Sequence, residues 1–364
     1  MKKTLLTICL VWMCFSLSAQ KIIDLSGKWS FSIDRQDNGE KEKWFSHTLN
    51  DFINLPGSMP EKLKGDEVTA KTQWTGSLYD SSYYYNPYME KYRKEGNIKF
   101  PFFLTPDKHY VGAAWYQKEV NIPADWKGER ILLFLERPHI ETTVWVNGQK
   151  TGIQNSLCVP HQYDITRYVR PGKCTITIRV DNRIKEINVG PDSHSITDQT
   201  QGNWNGIVGR ICLQTTPKTY FDDIQIYPEP EQKLARVKVV IKGTGTAKVK
   251  LSAESFNTDK KHIVPAIQQE IKLNKGVTET EMVLPMGNDM LLWDEFHPAL
   301  YKLKAEVTNG KKTEIKEIQF GMRRFEIKGK WFYVNGRKTQ LRGTVENCDF
   351  PLTGYAPMDV ESWE

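Results

Sequence analysis

The chain has 364 residues, room for two or three domains. Its 39% hydrophobic and 26% charged residues are ordinary for a soluble globular protein. Fifty basic against 44 acidic residues leave a net charge of +6, but the charges are mixed and form no Lys/Arg block, which argues against nucleic-acid binding.

Lys2 and Lys3 precede an uncharged, apolar run from Thr4 to Ala19. A basic start, an apolar centre and a small residue at the end predict a secretory signal peptide over residues 1–19, cleaved near Ala19–Gln20. The run is short for a membrane span, and no later segment is apolar enough, so no stable membrane insertion is expected. The protein is expected in the periplasm or outside the cell. Export permits disulfides among Cys158, Cys174, Cys212 and Cys348, but buried free thiols are the favoured reading. Nothing in the Cys and His spacing resembles a zinc site, and neither metal nor cofactor is expected.

Leu25–Ile33 alternates apolar and polar residues, as a half-buried strand does. Further strands are predicted over Trp115–Ile122, Arg130–Leu135, Thr142–Asn147 and Thr175–Val180. Asn147-Gly148 is a strong hairpin signal, because a type I′ turn needs positive φ at both central positions. Many short strands punctuated by Gly, Pro and Asn predict a β-sandwich. Residues 62–110 break the rhythm with a dense run of rings, among them Trp74, Tyr79, Tyr83, Tyr84, Tyr85, Tyr88, Phe100 and Tyr110. This long loop either shapes a binding site or plugs one sheet. A boundary is expected near Thr215–Lys218. Beyond it, seven strands are predicted: Phe221–Tyr227, Ala235–Lys242, Ala247–Ala253, Ile263–Leu273, Thr278–Leu284, Tyr301–Thr308 and Lys312–Phe320. Seven strands in about 100 residues fit an immunoglobulin-like sandwich. From Gly321 the character shifts to a small hairpin and a strand ending at Arg342-Gly343, and Met358–Glu364 reads as the first turn of a helix.

Three groups of segments, in order, resemble glycoside hydrolase family 2, which includes β-galactosidases and β-glucuronidases. They are Ala114-Trp115-Tyr116 with Val144–Gly148; Gly202–Gly209; and Trp293…His297–Tyr301 with Phe320–Arg323, Phe332–Gly336 and Leu341–Gly343. The resemblance covers nearly the whole mature chain. It implies an all-β front end: a sugar-binding jelly roll over 20–217, an immunoglobulin-like sandwich over 218–320, and the start of a (β/α)8 barrel over 321–364. A complete barrel needs about 250 residues, whereas Gly321–Glu364 is 44. The family's two catalytic Glu residues lie further along that barrel, so no catalytic residue is expected in this chain. Glu346 and Glu361 come too early in the fold to replace them. Family members often place Asn and His after the Leu-Arg-Gly strand; here Gly343–Pro351 holds no His.

The residues that could touch a glycan are Asp198, Asn203, Trp204, Asn205 and Arg342. Asn203 and Asn205 can donate to and accept from neighbouring hydroxyls. Trp204 either stacks on a sugar or packs a loop. Arg342 either donates to the substrate or forms a structural ion pair. The resemblance places Asp198 where some members contact substrate. The expected partner is an oligosaccharide or polysaccharide-derived glycan, and the expected function is that of the non-catalytic N-terminal portion of an exported, retaining exo-glycosidase. A free-standing carbohydrate-binding protein is the alternative.

Overall fold

A computed structural model describes residues 21–75, 81–100, 105–185, 198, 202–345 and 350–364. The predicted signal peptide, Tyr79, Glu346 and Cys348 lie outside the described residues. The chain divides into two compact units. One comprises residues 21–216 with 343–364, and the other residues 217–342.

The first unit is a jelly-roll sandwich. One sheet has six strands in the order Gln149–Asn155, Glu141–Val146, Gly172–Asp181, Ala113–Ile122, Gly27–Asp34, Asp51–Leu55. The facing sheet runs Ile22–Asp24, Gly206–Thr216, Arg130–His139, His161–Asp164, with Gly57–Ser58 added against Gly206–Thr216. Alternation drives the pairing: Trp29 and Phe31, Val144 and Val146, and Ile176 and Ile178 all point inward, onto Leu133, Leu135 and Ile211 of the other sheet. The outer face of the six-stranded sheet carries a second buried group, Trp115, Trp145 and Leu49. Trp115 stacks on Trp145 at 4.9 Å, and its Nε1–H donates to Asp34 Oδ2 at 2.9 Å. The hairpin forms where the sequence places it: Asn147 (φ 49°) and Gly148 (φ 76°) join Val146 to Gln149.

The second unit is the immunoglobulin-like sandwich. Its strands are Tyr220–Glu229, Leu234–Phe256, Ile263–Pro285, Leu300–Asn309 and Lys312–Phe320. Four of the seven predicted strands are two continuous ones. Gly243 and Gly245 flank a register shift in the first, and Gly276 lies opposite Gly243 in the second. Positive φ at Gly245 (83°) and Gly276 (103°) lets each 23-residue strand bend and continue. The core is aliphatic, with Val237, Val239, Ile241, Leu251, Leu303 and Val307 buried around Tyr301.

The segment from Gly321 onward is distributed between the units. Phe325–Lys328, Trp331–Val334 and Arg337–Thr339 form a three-stranded ribbon in the second unit. Residues 343–364 cluster with the jelly roll and end in a 3-10 turn, Glu361–Trp363. Cys174 and Cys212 are buried free thiols and Cys158 is an exposed one. Burial pushes the Cys174 thiol up to about 11, which suppresses its thiolate. No described helix is long and apolar enough to cross a membrane.

Candidate functional site

Asp198, Asn203, Trp204 and Asn205 come together at one end of the jelly roll. Asp198 is buried, at 3% exposure, and both its oxygens are engaged. Oδ1 accepts from the Asn203 N–H at 2.9 Å, and Oδ2 from the Thr75 N–H at 2.7 Å. His109 Nε2 stands 3.4 Å from Oδ2. Asn203 donates from Nδ2 to Thr75 Oγ1 (2.8 Å) and to the Asn182 carbonyl (3.1 Å), while its buried Oδ1 has no hydrogen-bond partner among the described residues. Asp198 therefore ties together the aromatic loop at Thr75, the Asn203 segment and the strand end at His109.

Asn205 has a different job from the hydroxyl contact expected of it. It is 1% exposed, donates to the Gly112 and Val180 carbonyls at 3.0 Å each, and accepts from the Tyr116 hydroxyl at 2.7 Å. All its side-chain groups point into the sandwich, where an unmet polar group would cost more than the bond itself gives. Trp204 also departs from a stacking role, because neither face is open. One face lies on His139, with ring centroids 4.6 Å apart and planes 15° apart; Tyr355 lies 5.5 Å away, tilted by 50°. Gly354 presses on the indole so closely that a Cβ there would fall 2.7 Å from a ring carbon.

Tyr355 is held in turn. Its hydroxyl donates to Glu61 Oε2 at 2.7 Å, and the Ser58 hydroxyl donates to the Thr353 carbonyl. Burial pulls the Glu61 carboxyl up, but Lys62 and the Tyr355 hydroxyl outweigh it and hold the group below its ordinary range. Sequence reading missed Thr75, His109, His139, Glu61 and Tyr355. Each is an isolated residue whose partner is remote in the chain, so no spacing signals it.

His139 supplies a pH test. Its Nδ1 lies 2.6 Å from the Trp204 carbonyl; a carbonyl only accepts, so Nδ1 carries the proton. Burial lowers its pKa from 6.5 to about 4, with Arg137 adding to the effect. Between those values the unfolded chain binds a proton that the folded one refuses. Stability should therefore fall as pH drops from 6.5 toward 4, by roughly 3 kcal/mol in full, and this group adds no slope above 6.5. Denaturant melts at successive pH values should show that slope, and His139→Gln, which keeps a donor, should flatten it. An unchanged slope in the variant would contradict the assignment.

The aromatic loop is partly core and partly surface. Tyr83 and Phe100 are buried and 4.6 Å apart, whereas Tyr85 and Tyr88 are 78% and 83% exposed. Trp74 packs with the buried part, 6.4 Å from Phe100 and 4.7 Å from the His109 ring.

Arg342 belongs to the second unit. Its guanidinium donates to Glu295 Oε2 at 2.7 Å while the side chain stays 76% exposed. It lines a cavity of about 640 Å3 with Trp293, Phe296, Arg323, Phe325 and Leu341. The strand expected to end at Arg342 ends instead at Thr339. Among the described residues, no cluster of three or more His, Cys, Asp or Glu could hold a metal.

A jelly roll followed by an immunoglobulin-like sandwich is the class that this fold defines. Residues 22–217 match the sugar binding domain of glycosyl hydrolases family 2, and residues 219–323 match a second module of the same family. The chain belongs to glycosyl hydrolase family 2. It is similar to a beta-glucuronidase of Paenibacillus borealis (24% identical, over 92% of this chain and 51% of the relative). It is also similar to a beta-galactosidase large subunit of Latilactobacillus sakei (23%, over 93% and 52%) and to the Homo sapiens beta-glucuronidase (23%, over 91% and 49%). The Ruminococcus gnavus beta-glucuronidase structure shares the fold, with TM-score 0.61 at 19% identity over 90% of this chain and 49% of that one. The chain spans about half the length of the curated relatives it matches.

Proposed function

We propose that residues 1–364 form the non-catalytic N-terminal portion of an exported, retaining exo-glycosidase of the β-galactosidase type that acts on an oligosaccharide or a polysaccharide-derived glycan. The observation that carries this reading is the pair of matched modules, one described as sugar binding, aligned in order with about half of each glycosidase relative. Retaining hydrolysis needs two carboxyl groups about 5–5.5 Å apart, one as nucleophile and one as acid/base. Those two groups belong, on this reading, to a part of the enzyme outside residues 1–364.

Within this chain, Asp198 and Asn203 serve the substrate indirectly, by holding Thr75 in place. Arg342, exposed beyond its Glu295 contact, is the accessible donor. Export is tested by mass spectrometry of the protein from periplasm and medium. The expected N-terminus is near Gln20; a protein beginning at Met1 and confined to the cytoplasm would refute export.

A further inference from the structure

Beside the Asp198 cluster, the jelly roll carries a cavity of about 450 Å3. It lies where the ribbon of Asp66–Glu67 and Lys108–His109 leaves the sandwich, and its walls include Arg35, Asp66, Gln73, His109, Tyr110 and Val111. We propose that this cavity is a saccharide subsite for an uncharged, hydroxyl-rich sugar unit, and that His109 connects it to Asp198. The choice of a sugar as ligand rests on the glycosidase reading above; the site itself rests on its geometry.

The volume lies within the range of small-ligand pockets. Its polar groups alternate in kind. Arg35 Nε and Nη2 both donate to a single oxygen of Asp66, Oδ1. Arg35 Nη1 and Asp66 Oδ2 are left as a donor beside an acceptor, the pattern that two adjacent hydroxyls match. Gln73 spends Nε2 on the Lys71 carbonyl at 3.2 Å, which leaves Oε1 as an acceptor. The lining carries two cations, Arg35 and Lys71, against two carboxylates, Asp66 and Glu67, so it holds no excess of positive charge to select an anion. Val111, 36% exposed, supplies apolar surface for the C–H face of a pyranose, and the buried Tyr110 backs that wall.

His109 makes this more than a surface dent. It lines the cavity, yet is 7% exposed, and its Nε2 has no hydrogen bond among the described residues while standing 3.4 Å from Asp198 Oδ2. The ring also packs on Trp74. A sugar that displaces this ring slightly changes the distance to Asp198, and Asp198 holds Thr75 and Asn203. The subsite and the proposed substrate cluster thus share one wall.

The test uses this chain from Gln20 onward, without reading turnover, so its outcome is independent of whether the chain hydrolyses anything. The probes are methyl β-D-galactopyranoside, methyl β-D-xylopyranoside, lactose and cellobiose, with methyl β-D-glucuronide as the charged comparison. At least one neutral probe should shift the His109 imidazole and Gln73 amide NMR signals saturably, with millimolar affinity. Gln73→Ala and Asp66→Asn should each weaken that binding by about fivefold, the loss of one hydrogen bond, while Lys238→Ala in the other unit changes nothing. The glucuronide should bind no tighter than the neutral galactoside. The proposal is overturned if no neutral probe gives a saturable shift up to about 100 mM, or if binding is unchanged in a folded Gln73→Ala protein.

Discussion

Trp204→Ala is expected to cost the jelly-roll unit about 3–5 kcal/mol, the usual range for a buried large aromatic cut to Ala. The indole is 5% exposed and sits between His139 on one side and Gly354 with Tyr355 on the other. Its removal opens a void that these partners cannot close, because His139 is anchored to the residue-204 carbonyl and Tyr355 to Glu61. Gly354→Ala approaches the same contact from the opposite side. With φ at 80°, a side chain there is strained, and its Cβ would overlap the indole. A loss of about 1–3 kcal/mol follows from overpacking. Urea unfolding measures both. If Trp204 were a sugar platform instead, its truncation would leave stability within about 1 kcal/mol of the wild type and remove sugar affinity.

Local chemistry was legible in the sequence wherever partners are near neighbours. Asn147-Gly148 announces its hairpin because the turn's backbone demands those residues. The alternation of Trp29 with Phe31 and of Ile176 with Ile178 announces strands facing a core. Signals failed where a residue type serves two geometries. The breaks expected between Lys242 and Ala247 and between Leu273 and Thr278 are instead bends, at Gly243, Gly245 and Gly276, within two long strands. The candidate site was legible as a neighbourhood and not as a set of roles. Asp198, Asn203 and Asn205 do gather, but what each side chain meets is set by Thr75, His109, Gly112 and Val180, distant in the chain. Trp204 is the clearest instance. An aromatic in a polar loop suits stacking on a sugar, and only Gly354 and Tyr355, about 150 residues later, close its second face.

The second large effect concerns catalysis. The N-terminal-portion reading requires that residues 1–364 lack the carboxyl pair that splits a glycosidic bond, and enzymatic acceleration of a hydrolysis is commonly on the order of a million-fold or more. The difference between a chain with the pair and one without it therefore dwarfs any effect of positioning residues. On that reading Arg342, Asp198 and Asn203 have positioning roles only, and the nucleophile and acid/base are supplied elsewhere.

The most direct measurement is the hydrolysis of nitrophenyl β-galactoside and nitrophenyl β-glucuronide by the purified chain, followed with the Glu346→Gln and Glu361→Gln variants beside it. A rate indistinguishable from buffer is expected for all three proteins on both substrates. Turnover that co-purifies with the chain and disappears in either variant would contradict it, since the catalytic carboxylate would then lie within these 364 residues.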